Sequence, residues 1–149
     1  MREFVLKGLY VGIVAGIVLG FFFKVMEAYF HIKVYTLLLN IDYIPYLNQI
    51  KFPEWVEFTF HLVVSVIISI MILYAILKFN WTKKQIIYYP ILISFLIGVL
   101  LYPTTALSDR TPPITSGSAI LIWLIGHVLY GGVLSAYFIK GALKGPGPL

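Results

Sequence analysis

Apolar residues run with few breaks over Gly8 to Phe23, Val56 to Leu77, Ile86 to Leu107 and Ala119 to Ile139, and most charged residues lie between these runs. A bilayer core about 30 Å thick takes roughly 20 helical residues at about 1.5 Å each, so each run is of spanning length or near it. The pattern predicts an all-α, polytopic membrane protein of one domain. Its four transmembrane helices cover roughly 4–31, 54–79, 85–107 and 117–140 and form a single bundle, with an outer segment at 32–53.

The connections carry their own signals. No strong helix breaker occurs from Phe21 to Tyr43, so the first helix is expected to project past the membrane until Pro45 ends it. The stretch from Ile32 to Pro53, with Tyr35, Tyr43, Tyr46 and several leucines, has the character of an interfacial segment at headgroup depth. Pro53 opens the second helix, and Glu54 in its first turn suits the helix dipole. The short link Phe79 to Lys84, anchored by Trp81, predicts that the second and third helices are antiparallel neighbours. A proline-bearing connection from Tyr102 to Gly117 follows, with Thr115, Ser116 and Ser118 as candidate caps for the last helix. Gly-Pro-Gly-Pro at 145–148 reads as a disordered end.

Composition agrees with lipid as the solvent, at 60% hydrophobic and only 11% charged residues. Arg2 and Lys7 before an apolar run resemble a signal peptide, but no small-x-small cleavage site precedes Lys24, so the helix is expected to be retained. The net charge of +5 forms no basic face, which excludes a nucleic-acid surface. Instead it fits the positive-inside rule with both termini cytoplasmic: Arg2, Lys7, Lys78, Lys83, Lys84, Lys140 and Lys144 fall inside, against Lys24, Lys33, Lys51 and Arg110 outside. Glu27, Asp42, Glu54, Glu57 and Asp109 then gather on the outer side. With no cysteine, thiolate sites and disulfides are ruled out.

Gly8, Gly12, Gly16 and Gly20 form a ridge along the first helix where another helix can approach closely, within the bundle or in an oligomer. Gly126, Gly131 and Gly132 of the last helix are the expected complement. In the second helix Glu57, His61, Ser65 and Ser69 recur at steps of four and make one polar stripe, which should face protein because ionisable groups in hydrocarbon are costly. His61 lies about 10 Å deeper than Glu54 by helical rise. Lys24, Glu27 and His31 sit at the outer end of the first helix, where Lys24 can pair with Glu27. His127 falls roughly 15 Å in from Gly117, near mid-membrane. Its expected contacts are Tyr130, polar groups of other helices, or a carbonyl freed near Pro90 or Pro103. Asp109 and Arg110 read as a pair within the outer loop.

In a compact bundle Glu27, Glu57, His61 and His127 are expected to converge in the outer half, and several functions draw on them. One is a proton- or cation-responsive site, supported by Lys24, His31 and Ser65. A second makes His61 and His127 axial ligands of a haem b, in an accessory or haem-anchoring subunit of a larger respiratory-type complex. A third is a divalent-metal site, although its Glu-to-His spacing of four differs from that of di-iron bundles. The fourth is structural: mutual pairing that holds the bundle in register. Ser65, His61 and Glu57 do not make an enzyme, because regular helix supplies no oxyanion hole.

Ala15-Gly16 followed by Lys24 and Glu27, His61 with Ser65, Tyr102-Pro103, Thr111-Pro112-Pro113 and Gly126-His127 together cover about half of the chain. In these the sequence resembles the YagU-type bacterial inner-membrane proteins. The resemblance implies a multi-pass protein of the cell (inner) membrane, without known catalysis and linked to acid tolerance. That family's proline-rich run after the first-helix glutamate is replaced here by Tyr29 to Asn48. The expected surroundings are the lipid bilayer and a homo-oligomer or larger membrane complex.

Overall fold

The computed structural model describes residues 2–42, 44–46 and 50–143. They form five α-helices: α1 (Arg2–Phe30), α2 (Val34–Leu39), α3 (Glu54–Lys78), α4 (Lys83–Leu101) and α5 (Gly117–Leu143). A 3-10 segment, Tyr102–Leu107, continues α4 past Pro103. Four helices, Arg2–Phe30, Glu54–Lys78, Lys83–Leu107 and Gly117–Lys140, are long and apolar enough to cross a membrane. The molecule is an all-α four-helix bundle built for a lipid bilayer. Residues 145–148, read as a disordered end, and Tyr43 of the interfacial segment lie outside the described residues.

The helix ends have local causes. α1 stops at Phe30 and does not run on to Pro45, because His31 turns into the left-handed region with φ of 57°. The chain doubles back into α2, whose second and third N–H groups are taken by α1 itself. The Glu27 carboxylate accepts from the Tyr35 and Thr36 amides at 2.7 and 2.8 Å and from the Thr36 hydroxyl at 2.8 Å. Lys33, the residue at the cap position, contributes no side-chain bond, so Glu27 does the capping from another helix. α4 opens on a capping box between Thr82 and Gln85. Of the three candidate caps for α5, Ser116 is the one whose hydroxyl accepts an amide, that of Ala119.

In cross-section the spans run α3, α1, α5, α4, with each packed on the next. The short link between α3 and α4 makes them antiparallel, but, contrary to the sequence expectation, they hardly touch. Each is held elsewhere. The glycine ridge of α1 receives α3, and not the glycines of α5: a Cβ on Gly12 would lie 2.6 Å from the Val66 backbone, and one on Gly8 would meet Ile70 at 2.7 Å. α5 is drawn against the backbone of α4, where a Cβ on Gly131 would lie 2.6 Å from Ile91 Cα. The central α1–α5 seam is aromatic. Phe23 is fully buried, stacks on Trp123 at 5.1 Å between centroids and fills the space left by Gly126. α3 and α4 thus belong to opposite halves of the bundle and diverge as they leave their link.

This packing predicts unequal responses to the smallest substitution. Gly12→Ala forces α1 off the α3 backbone and should lower stability by about 1–3 kcal/mol. Gly132→Ala, with nothing within 4 Å of the added carbon, should be neutral or slightly stabilising. Thermal unfolding of the two variants in the same detergent checks the contrast.

Candidate functional site

The polar stripe of α3 is read by the glycine ridge of α1. Ser69 donates to the Gly8 carbonyl at 2.8 Å, Ser65 to Gly12 at 2.7 Å, and His61 Nε2 to Gly16 at 3.1 Å. Both helices step by four, in opposite directions, so three successive rungs match. Each carbonyl has a second lone pair beyond its helical bond, and the missing Cβ lets a side chain from α3 reach it. Tyr130 of α5 joins the middle rung, within 3.0 Å of the Ser65 hydroxyl and donating to the Ser65 carbonyl at 3.1 Å.

His127 is set by other contacts than those expected. Its Nδ1 donates to the Trp123 carbonyl one turn earlier, at 2.9 Å, and its ring packs in the groove that Gly98 leaves in α4. Trp123 ties the same place together, its indole N–H donating to the Gly98 carbonyl at 2.9 Å. Tyr130 bonds Ser65 and not His127.

Where α3 and α4 diverge, they leave a cavity of about 270 Å³. His61, Ser65, Ser94, Trp123, His127 and Tyr130 contribute its polar and aromatic wall. Leucines and isoleucines of 37–44 cover it at the α2 end. Its rim includes the exposed side chains Phe60, Val63 and Val64 of α3 and Leu101 of α4, on the apolar flank that faces lipid. Among the described residues two polar groups of this wall make no hydrogen bond: the Ser94 hydroxyl, 0% exposed, and the Asn40 amide nitrogen, on a residue 3% exposed.

The four-residue cluster expected from the sequence therefore divides. His61 and His127 share the cavity, and Glu57 stands at its outer end. Glu27 does not join them, since its carboxylate caps α2. Glu57, 5% exposed, is clamped by Arg110, with Nη1 at 3.0 Å and Nη2 at 3.3 Å from its two oxygens. Arg110 also lies 3.7 Å from Asp42, which accepts from Ser108 at 2.5 Å. The loop pair expected between Asp109 and Arg110 is thus replaced by a longer-range one. Hydrogen bonding to Glu57 raises the Arg110 pKa above its ordinary value, so the guanidinium stays charged. Lys24 pairs with Glu54 at 2.5 Å and not with Glu27, and Tyr35 donates to the same Glu54 oxygen at 2.9 Å. Burial, reinforced by that bond, pushes the Tyr35 hydroxyl above the usual phenol range. These groups wall a second, outward hollow of about 450 Å³ on the α2 side, which shares Glu57 and Leu39 with the first. His31 is exposed at the end of α1 and lines neither space.

Among the described residues no group of three or more histidine, aspartate and glutamate side chains is arranged to hold a metal ion. A haem iron between His61 and His127 needs a different rotation of the His61 ring, because its Nε2 is spent on Gly16. Sequence reasoning missed Ser94, Asn40, Trp123 and the partnership of Arg110 with Glu57. Ser94 and Asn40 were visible as isolated polar residues in apolar surroundings, whereas only the path of the 102–117 connection brings Arg110 to α3.

Burial separates the two ion pairs. Arg110→Ala strands a buried carboxylate and should cost about 1–3 kcal/mol, with Glu57→Gln costing less. Lys24 and Glu54 are each 58% exposed, so Lys24→Ala should change stability by about 0–1 kcal/mol. Thermal midpoints in detergent at low salt rank the three. No family model matches this sequence, and no curated protein or solved structure matches it either.

Proposed function

We propose that the chain is a non-catalytic membrane protein that binds a small, mostly apolar molecule, taken from the bilayer into the cleft between α3 and α4. The observation that carries this reading is the pairing of an apolar, lipid-flanked cavity with two buried polar groups, Ser94 and Asn40, that find no partner among the described residues. A buried donor left unbonded costs about 1–3 kcal/mol, and a ligand that bonds it recovers that energy. Sites for small molecules have this composition: an apolar wall with a few placed polar groups. The positive-inside rule puts the Lys78, Lys83 and Lys84 link in the cytoplasm, so that Glu57 and Arg110 mark the outer end of the site in a cell membrane.

A second reading makes the same place proton-responsive, and one observation favours it: His61 and His127 line one cavity with Glu57 at its outer end. Proton uptake by either ring would turn its bare nitrogen into a donor.

Three measurements separate the readings. Lipid extracts of the purified protein should contain a retained lipophile that disappears with Ser94→Leu, which fills the cavity; an unchanged extract argues against the ligand. Proteoliposome proton flux indifferent to His61→Ala removes the proton-responsive reading. A Soret band in the visible spectrum, lost on His127→Ala, would replace both by haem.

A further inference from the structure

The two imidazoles of the cavity are fixed in opposite senses by backbone carbonyls, and a carbonyl only accepts. His61 must therefore carry its proton on Nε2 to bond Gly16, and His127 must carry its proton on Nδ1 to bond Trp123. In the neutral rings the other nitrogens, His61 Nδ1 and His127 Nε2, are bare lone pairs. Each makes no hydrogen bond among the described residues and lies across its ring from the bonded nitrogen. For His127 the bonded nitrogen is turned to its own helix backbone, so the bare one is directed outward from α5, on a residue that lines the cavity. Ser94 adds a hydroxyl that can give or accept, and Asn40 adds an amide donor.

A molecule that only accepts hydrogen bonds, such as a ketone, an ether or an ester, satisfies Ser94 and Asn40 but leaves the imidazole nitrogens facing another lone pair. A hydroxyl gives one proton and accepts another, and so answers both kinds of group at once. From this arrangement we infer that the cavity selects a hydroxyl-bearing lipophile, an isoprenoid or long-chain alcohol or phenol, over its ether, ester or ketone counterpart. The inference rests on the lipophile reading above and names its ligand class. The walls agree in kind. The body of such a molecule would lie along Phe60, Val63, Val64 and Leu101, and its head would reach Ser94 and His127.

The chain provides a reporter in place. Trp123 lines the cavity, and replacing Trp55 and Trp81 by phenylalanine leaves it as the sole indole of the full-length protein. In nanodiscs, farnesol and farnesyl methyl ether would be titrated at equal mole fraction in the lipid while Trp123 fluorescence is followed. Farnesol is expected to give a saturable change at a mole fraction about tenfold lower than the ether, the discrimination of one good buried hydrogen bond. Ser94→Ala should weaken both ligands, since each can accept from that hydroxyl, and leave the preference for farnesol in place. His127→Phe, which keeps a ring in the Gly98 groove but removes the nitrogen, should bring the two ligands within threefold of each other. Equal affinity for alcohol and ether in the unmutated cavity overturns the hydroxyl preference and leaves the lipophile reading standing. Absence of saturable binding by both removes the lipophile reading and the preference with it.

Discussion

The structure depends on a row of hydrogen bonds made where water is absent. In hydrocarbon, hydroxyl and imidazole groups on α3 have no solvent to bond, and the α1 carbonyls at Gly8, Gly12 and Gly16 are the acceptors within reach. They are reachable only because those positions lack a Cβ. The same row fixes rotation as well as contact. A slip of one residue would carry Ser65 and Ser69 off their carbonyls and turn Glu57 away from Arg110, leaving several polar groups unsatisfied at once. The energy of each bond is modest, but together they admit one register.

From that register the site follows. With α3 committed to α1, and α4 committed to α5 through Gly131, Gly98 and the indole of Trp123, the two helices that are adjacent in sequence are the two kept apart in space. The space between them is closed at its outer end by the residues after α2 and by Glu57, and it is bordered by lipid at its flank. Polar groups reach it from both halves: His61 and Ser65 from one, Ser94, His127 and Tyr130 from the other. In the outer layer Arg110, Asp42, Lys24 and Glu54 reach solvent, and Glu57 is buried among them.

Much of the fold was legible in the order of residues. The four spans follow from run length, and the glycine ridge and the polar stripe were each visible as a period of four. Their partnership was not, because a glycine repeat announces close approach without naming what approaches, and the α5 glycines offered an equally good complement. The reversal after Phe30 was hidden for a related reason. It depends on Glu27 reaching eight and nine residues ahead to hold the start of a six-residue helix, and neither helix propensity nor the absence of proline signals a cap supplied from another element. His61 and His127, singled out by depth, line one cavity. Glu57 was grouped with His61 by the stripe and Glu27 by its place in the outer half, but carboxylates near a rim find cations and amides before they find each other.

The seam between the two halves has a consequence for the space on the opposite flank. Phe23, pressed between Trp123 and Gly126, is the spacer that sets the angle at which the α1–α3 half meets the α4–α5 half. The link of α3 to α4 is short, and it turns through Asn80 at a positive φ. That end is tied by a tight turn, so a change of ring size at Phe23 would be felt as a change in width between α3 and α4. The width of that space is in this way tied to a residue that does not line it.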